Sequence, residues 1–142
     1  MKILLIEDLE SDRDMFARYL DKIDHIYELE FKTAANLQEG IELLSKESFD
    51  ILFLDLCLPG SEGWETINAI LGSKDTFKNP SIATVILTEI ENYDVGNKAM
   101  DRGVASFLIK KDCGPEDIER SIRYAKYTDF LPKRKSKRKK RI

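Results

Sequence analysis

Ile51-Leu52-Phe53-Leu54-Asp55-Leu56-Cys57-Leu58-Pro59-Gly60 is the stretch on which the fold turns. The unbroken apolar run of residues 51–54 is short, and it has the character of a strand covered on both faces. It stops at a carboxylate, after which Leu58-Pro59-Gly60-Ser61-Glu62-Gly63 carries the Pro and Gly punctuation of a loop.

The same alternation of short apolar runs and helical spacing extends in both directions. Toward the N-terminus, Lys2–Ile6 is a first strand, and Ser11 caps a helix through Met15, Phe16, Tyr19, Leu20 and Ile23. Glu28–Ala34, with Leu29, Phe31 and Thr33 in alternation, is an edge strand. Asn36 and Glu39 have capping-box spacing and open a helix using Leu37, Ile41, Leu43 and Leu44. Toward the C-terminus, Trp64, Ile67, Ile70 and Leu71 mark a third helix, followed by a polar loop over Gly72–Pro80. Ile82–Leu87 is a fourth strand, and a weaker helix from about Asn92 to Arg102 closes at Gly103. Ala105–Ile109 is the fifth strand. Pro115 sits in the first turn of a last helix, with Glu116 and Asp117 near its positive end, and the helix runs to about Thr128.

Five strands alternating with five helices imply an α/β, doubly wound parallel sheet with helices on both faces. A chain of 142 residues is one domain of ordinary size, and its 42% hydrophobic content excludes wholesale disorder. No apolar run approaches the roughly 18 residues of a membrane span, so a soluble cytoplasmic protein that is not transmembrane is expected. Cys57 and Cys113 lack metal-ligand spacing and read as reduced, structurally minor thiols. The net charge of −3 conceals a division: residues 133–141 hold eight of the 23 basic residues and no acid. Residues 1–132 therefore carry 15 basic against 26 acidic residues, a net of −11. An acidic domain over residues 1–128 and a basic, disordered tail over 129–142 are expected.

In a doubly wound sheet, function gathers at the carboxyl ends of the strands. There the sequence places Glu7-Asp8, Asp55, Thr88 and Lys110, each immediately after an apolar strand. One acid after a strand is as easily a helix cap. Three carboxylates, a hydroxyl and a lysine at one sheet edge are a different matter. Two carboxylates at ~4 Å repel by about 4 kcal/mol at an effective dielectric near 20, so the cluster calls for a cation. Oxygen donors suit Mg²⁺. With a fixed ammonium and a hydroxyl beside it, the set suits phosphoryl transfer, in which positioning and charge neutralisation do most of the catalysis.

These segments, Ile3-Leu4-Leu5-Ile6-Glu7-Asp8, residues 52–60, Val85-Ile86-Leu87-Thr88 and Phe107-Leu108-Ile109-Lys110, resemble in order and spacing the response-regulator receiver domains of two-component phosphorelay signalling. The resemblance covers about residues 1–128. It implies a flavodoxin-like (βα)5 fold with strand order 2-1-3-4-5. It also implies that Asp55 accepts a phosphoryl group from a phosphohistidine on a sensor histidine kinase or histidine phosphotransfer protein. Asp8 and Asp55 then bind Mg²⁺ through carboxylate oxygens, Cys57 contributes its backbone carbonyl, and Glu7 assists through a water. Lys110 pairs with one phosphoryl oxygen and Thr88 donates to another, while Phe107 packs inward as the aromatic switch residue. Such a domain is not an enzyme beyond its own phosphotransfer and dephosphorylation. With only the tail after the last helix, output is expected through a downstream protein on the helix 4–strand 5–helix 5 face.

Three positions depart from the family pattern. Glu89 follows Thr88 where a small residue is more usual, which predicts slower exchange with small phosphodonors and slower hydrolysis. Lys111 stands where a proline often follows the lysine, and a trans Lys110–Lys111 bond is expected, since a cis non-proline bond costs about 2.5–4 kcal/mol. Phe107 lacks the hydroxyl of a tyrosine switch.

Other residues read as structural. His25 is the only histidine and falls at the end of the first helix or in the loop after it. Trp64 reads as a packing residue, and Tyr19, Tyr124 and Tyr127, at helical positions, as packing or partly exposed. The basic stretch 133–141 suits nucleic acid, anionic lipid or an acidic protein, but holds no aromatic residue for base stacking. A solubilising tail or an intramolecular latch stays open beside these. Two alternatives remain for the whole chain. One is a receiver-like binding module that works without phosphorylation. The other is a Mg²⁺-dependent phosphohydrolase, opposed by Cys57, which stands where a haloacid-dehalogenase-type enzyme carries its general-acid Asp.

Overall fold

A computed structural model describes residues 1–24, 27–89 and 93–128. His25, the Asn92 start of the fourth helix, the side chain of Tyr127 and the tail 129–142 lie outside the described residues. Five strands form one parallel sheet: β1 (Lys2–Ile6), β2 (Glu30–Ala34), β3 (Ile51–Leu54), β4 (Ala83–Thr88) and β5 (Ser106–Ile109), in the order β2-β1-β3-β4-β5. The helices between and after them are α1 (Glu10–Ile23), α2 (Leu37–Lys46), α3 (Trp64–Gly72), α4 (Tyr93–Asp101) and α5 (Pro115–Thr128). The expected class and strand order are those observed.

The continuous apolar runs are explained by coverage of both sheet faces. Alternate residues divide between two cores: Leu4, Ile6, Leu52, Leu54 and Ile86 pack with Leu44, Ile67, Ile70 and Ala99 of α2, α3 and α4. Ile3, Leu5, Ile51, Phe53, Val85 and Leu87 pack with Phe16, Leu20, Ile118 and Ile122 of α1 and α5. Each of the Leu, Ile, Val and Phe side chains among them contributes about 1.5–3 kcal/mol on burial, so strands apolar at every position fix the sheet between two helical layers.

Local readings differ from observation at four places. Ser11 is not the cap of α1: the helix starts at Glu10 after an extended Leu9, without a side-chain cap. The reason lies upstream, where the Glu7 carboxylate accepts from Leu9 N–H at 3.3 Å and Leu9 O already accepts from Arg13 N–H at 3.0 Å. The edge strand is shorter than expected, beginning at Glu30. The polar segment 72–80 is not purely a loop: Lys74–Thr76 make a 3₁₀ turn, and Phe77 is buried in the core. The segment after Leu56 forms a small antiparallel hairpin, Cys57–Leu58 with Ser61–Glu62. Pro59 and Gly60 make its turn, Gly60 supplying the positive φ of 78° that a type II turn needs at that position. Asn36 caps α2 as expected, accepting from Glu39 N–H at 2.9 Å.

Candidate functional site

Strand register assembles the site. Ile6 lies beside Leu54, and Leu54 beside Ile86, so the chain leaves β1 and β3 at one level. The ladders run one residue further: Glu7 N–H donates to Ala34 O at 2.9 Å and Asp55 N–H to Ile6 O at 3.1 Å. Glu7 and Asp55 are thus fixed by backbone bonds and become neighbours. Thr88 ends β4 opposite Ile109, which places Lys110 next along the same edge. Thr88 is fully buried.

Carboxylate oxygens of Glu7, Asp8 and Asp55 lie within 4.8 Å of one another, with Glu7 and Asp55 buried and Asp8 half-buried. Lys110 is the cation this cluster holds. Its ammonium donates to Glu7 Oε1, donates to Asp12 Oδ2 at 2.8 Å, and stands 3.6 Å from Asp55 Oδ2. Burial pushes the Glu7 carboxyl up to about 7, with the Asp55 charge adding to the rise and Lys110 opposing it. Burial also works against the charge on Lys110, but the Asp12 and Glu7 carboxylates outweigh it and hold the ammonium above its ordinary range.

The donor set fits a small hard cation. Ligands of an octahedral Mg²⁺ lie at most about 4.2 Å apart, twice the metal–oxygen distance. Cis ligands lie closer, about 3 Å apart, so oxygens within 4.8 Å of one another gather around one ion by side-chain movements of up to about 2 Å. The hairpin holds the neighbouring backbone, and Cys57 N–H donates to Asp55 Oδ1 at 3.2 Å. Among the described residues no other group of three acidic, cysteine or histidine side chains is arranged to hold an ion.

The sequence-expected residues Glu7, Asp8, Asp55 and Lys110 are brought together. Phe107 sits on β5 level with Ile86, half-buried on the α4 face, where a Cβ on Gly96 would stand 3.6 Å from its ring. The Lys110–Lys111 bond is trans, as expected. Glu89 is exposed. Trp64 packs on the core with the Arg102 guanidinium 5.7 Å from its ring centroid, and Tyr19 is a partly buried packing residue. Tyr124 is on the exposed side of that reading, at 58%. Neither cysteine is in a disulfide, and burial pushes the Cys113 thiol up to about 11. The residue that sequence reading missed is Asp12. An acid in the first turn of α1 has an ordinary explanation in the helix N-terminus, and its partner is 98 positions away.

Comparison with known proteins agrees with this arrangement. A family model for the response regulator receiver domain matches residues 3–123. A transcriptional regulatory protein of Escherichia coli, HprR, is 26% identical over 110 residues, covering 78% of this chain and 45% of that protein. A cyclic di-GMP phosphodiesterase of Thermotoga maritima is 30% identical over 125 residues, 88% of this chain and 31% of that protein. The chain thus spans less than half the length of these relatives. Among solved structures, a response regulator receiver domain protein from Clostridium thermocellum superposes with a TM-score of 0.72 at 27% identity, covering 90% of this chain and 95% of that one.

Proposed function

The chain belongs to the response regulator receiver domain family, and from that premise we propose that it takes a phosphoryl group onto Asp55 and thereby switches a protein-binding surface. The observation that carries this reading is the shared ammonium: Lys110 stands among Glu7, Asp12 and Asp55 at the edge where the three-carboxylate cluster lies.

In the proposed step an Asp55 carboxylate oxygen attacks phosphorus of a phosphohistidine on a sensor kinase or phosphotransfer protein. The P–O bond forms as the P–N bond breaks, and its electron pair leaves with the imidazole. Asp8, Asp55 and the Cys57 carbonyl would hold Mg²⁺, assisted by Glu7, and the ion would neutralise charge on the acids and the phosphoryl oxygens. Lys110 pairs with a phosphoryl oxygen, and the Thr88 hydroxyl donates to another. Thr88 and Phe107 lie on the same face of adjacent strands, so movement of Thr88 toward the phosphoryl group opens space for the Phe107 ring to turn inward.

The surface that reads out this change is the α4–β5–α5 face. On its β5–α5 side a cavity of about 220 Å³ is lined by Ala105, Ser106, Leu108, Arg120 and the exposed Tyr124, among others. No described helix is long and apolar enough to cross a membrane; the proposed setting is the cytoplasm, with the basic residues 133–141 contacting a polyanionic partner (nucleic acid, anionic lipid or an acidic protein).

Incubation with Mg²⁺ and a phosphohistidine donor, followed by peptide mass analysis, tests the central claim. One phosphoryl adduct on Asp55, absent from Asp55→Ala, is expected; no adduct, or one that survives the substitution, refutes it. Glu89→Ala should speed phosphorylation by a small anionic donor by about twofold through reduced repulsion at the site entrance, and equal rates would remove Glu89 from the account.

A further inference from the structure

We propose that Asp12 is a positioning residue of this site, which competes with the phosphoryl group for Lys110 and so sets how tightly phosphoryl is held. The inference rests on the phosphoacceptor reading above and adds to it a carboxylate from α1.

The geometry is specific. The Lys110 ammonium has three donors. One goes to Glu7 and one to Asp12 at 2.8 Å, whereas Asp55 at 3.6 Å is beyond a normal hydrogen bond. At rest the ammonium is therefore drawn toward α1 and away from the phosphoacceptor. Glu7, Asp8 and Asp55 are the carboxylates near enough to one another to share a cation, and Asp12 is not part of that set. A bound cation neutralises those three and weakens their pull on Lys110, leaving the pull of Asp12 intact. The Asp12 side chain is 20% exposed and Lys110 12%, so solvent and salt screen the pair only in part. A phosphoryl oxygen must win Lys110 against that partner. A simple surface ion pair would sit in water, and its loss would leave Asp55 unaffected.

The test uses beryllofluoride, a phosphoryl mimic, titrated into the full chain at saturating Mg²⁺ and followed by amide chemical shifts. Asp12→Asn should tighten binding by about fivefold, the scale expected of coupled charged neighbours. Asp12→Glu keeps the carboxylate and should stay within about twofold of wild type. With Lys110→Met as the background, Asp12→Asn should change affinity by less than about twofold, because the effect runs through the lysine. Equal affinity in wild type and Asp12→Asn overturns the inference alone. A gain that persists without Lys110 also overturns it, since it shows general charge repulsion. Absence of binding by the wild type removes the phosphoacceptor reading and this inference with it.

Discussion

The two ends of β1 carry opposite charge clusters. At its start, Lys2 and Lys32 share one carboxylate, that of Glu47, and all three side chains reach solvent. Beyond its other end, Glu7, Asp12 and Asp55 share one lysine, Lys110, and the group is mostly buried. The ingredients are the same, but the ratios are inverted and the solvent differs. At the Lys2 end, where the Asp50 carboxylate also accepts from Lys2 N–H at 2.7 Å, the charges reach water and any imbalance costs little. Surplus negative charge at the Glu7 end has lost its water, and it shows in the Glu7 carboxyl being pushed up to about 7. The first cluster is complete as it stands. The second carries buried negative charge that a bound cation would offset, and burial makes the difference.

The comparison breaks most visibly at Lys110. Lys110→Met removes the ammonium that, among the described residues, pairs with these buried carboxylates, and the metal-free protein should lose about 3 kcal/mol of stability in urea unfolding. Mg²⁺ at millimolar concentration should return more stability to the variant than to wild type. In the metal-free wild type the sign of the pH dependence follows from Glu7. Its folded-state value is raised from 4.5 to about 7, so the folded protein holds that proton more tightly. The corresponding stability is fully present below about 4.5 and is lost as pH rises through about 7. A variant as stable as wild type, with no gain from Mg²⁺, would put the two ends of β1 on the same footing.

Packing behind the buried end supplies an intermediate effect. A Cβ on Gly40 of α2 would stand 2.3 Å from Ile6 Cδ1, and Ile6 is the residue before Glu7. Gly40→Ala gains about 1 kcal/mol of helix propensity but forces a core side chain aside at a cost of about 1–3 kcal/mol. A net loss of about 1 kcal/mol is expected, together with weaker Mg²⁺ binding measured by calorimetry. Unchanged Mg²⁺ affinity would show that the Glu7 end does not depend on the packing beneath it.

What was legible in the sequence follows the same division. Continuous apolar runs reveal a two-faced sheet because burial on both faces demands them, and the polar residues ending those runs fall on one edge by topology alone. Glu7, Asp8, Asp55 and Lys110 were accessible for that reason. Asp12 was not, because its role depends on where residue 110 arrives in space, and an acid in a first helical turn has an ordinary explanation. Phe77 was hidden by its polar neighbours, and Ser11 was over-read because the Glu7 side chain already organises the chain before it. Local rules failed where a contact they do not weigh, near in the chain for Ser11 and far for Asp12, reassigned a residue.

The smallest effect belongs to the exposed end. Glu47→Gln removes the acid between Lys2 and Lys32, but both lysines are left in contact with water, so the urea midpoint should move far less than for Lys110→Met. High salt should erase most of that difference, since the cluster is open to screening. Phosphorylation of Asp55 should proceed at the wild-type rate. The pH dependence should also run in the opposite sense from that of Glu7. Hydrogen bonds from Lys2, then from Lys32, hold the Glu47 carboxyl below its ordinary value. Its contribution is therefore present above about 4.5 and is lost as pH falls through the lower folded-state value. Urea titrations of wild type and Glu47→Gln between pH 3 and 8 separate the two limbs: the acid limb should soften in the variant, and the decline toward neutral pH should remain. A variant that lost the neutral limb instead would mean that the two clusters communicate along β1, and the charge at its exposed end would then belong to the site.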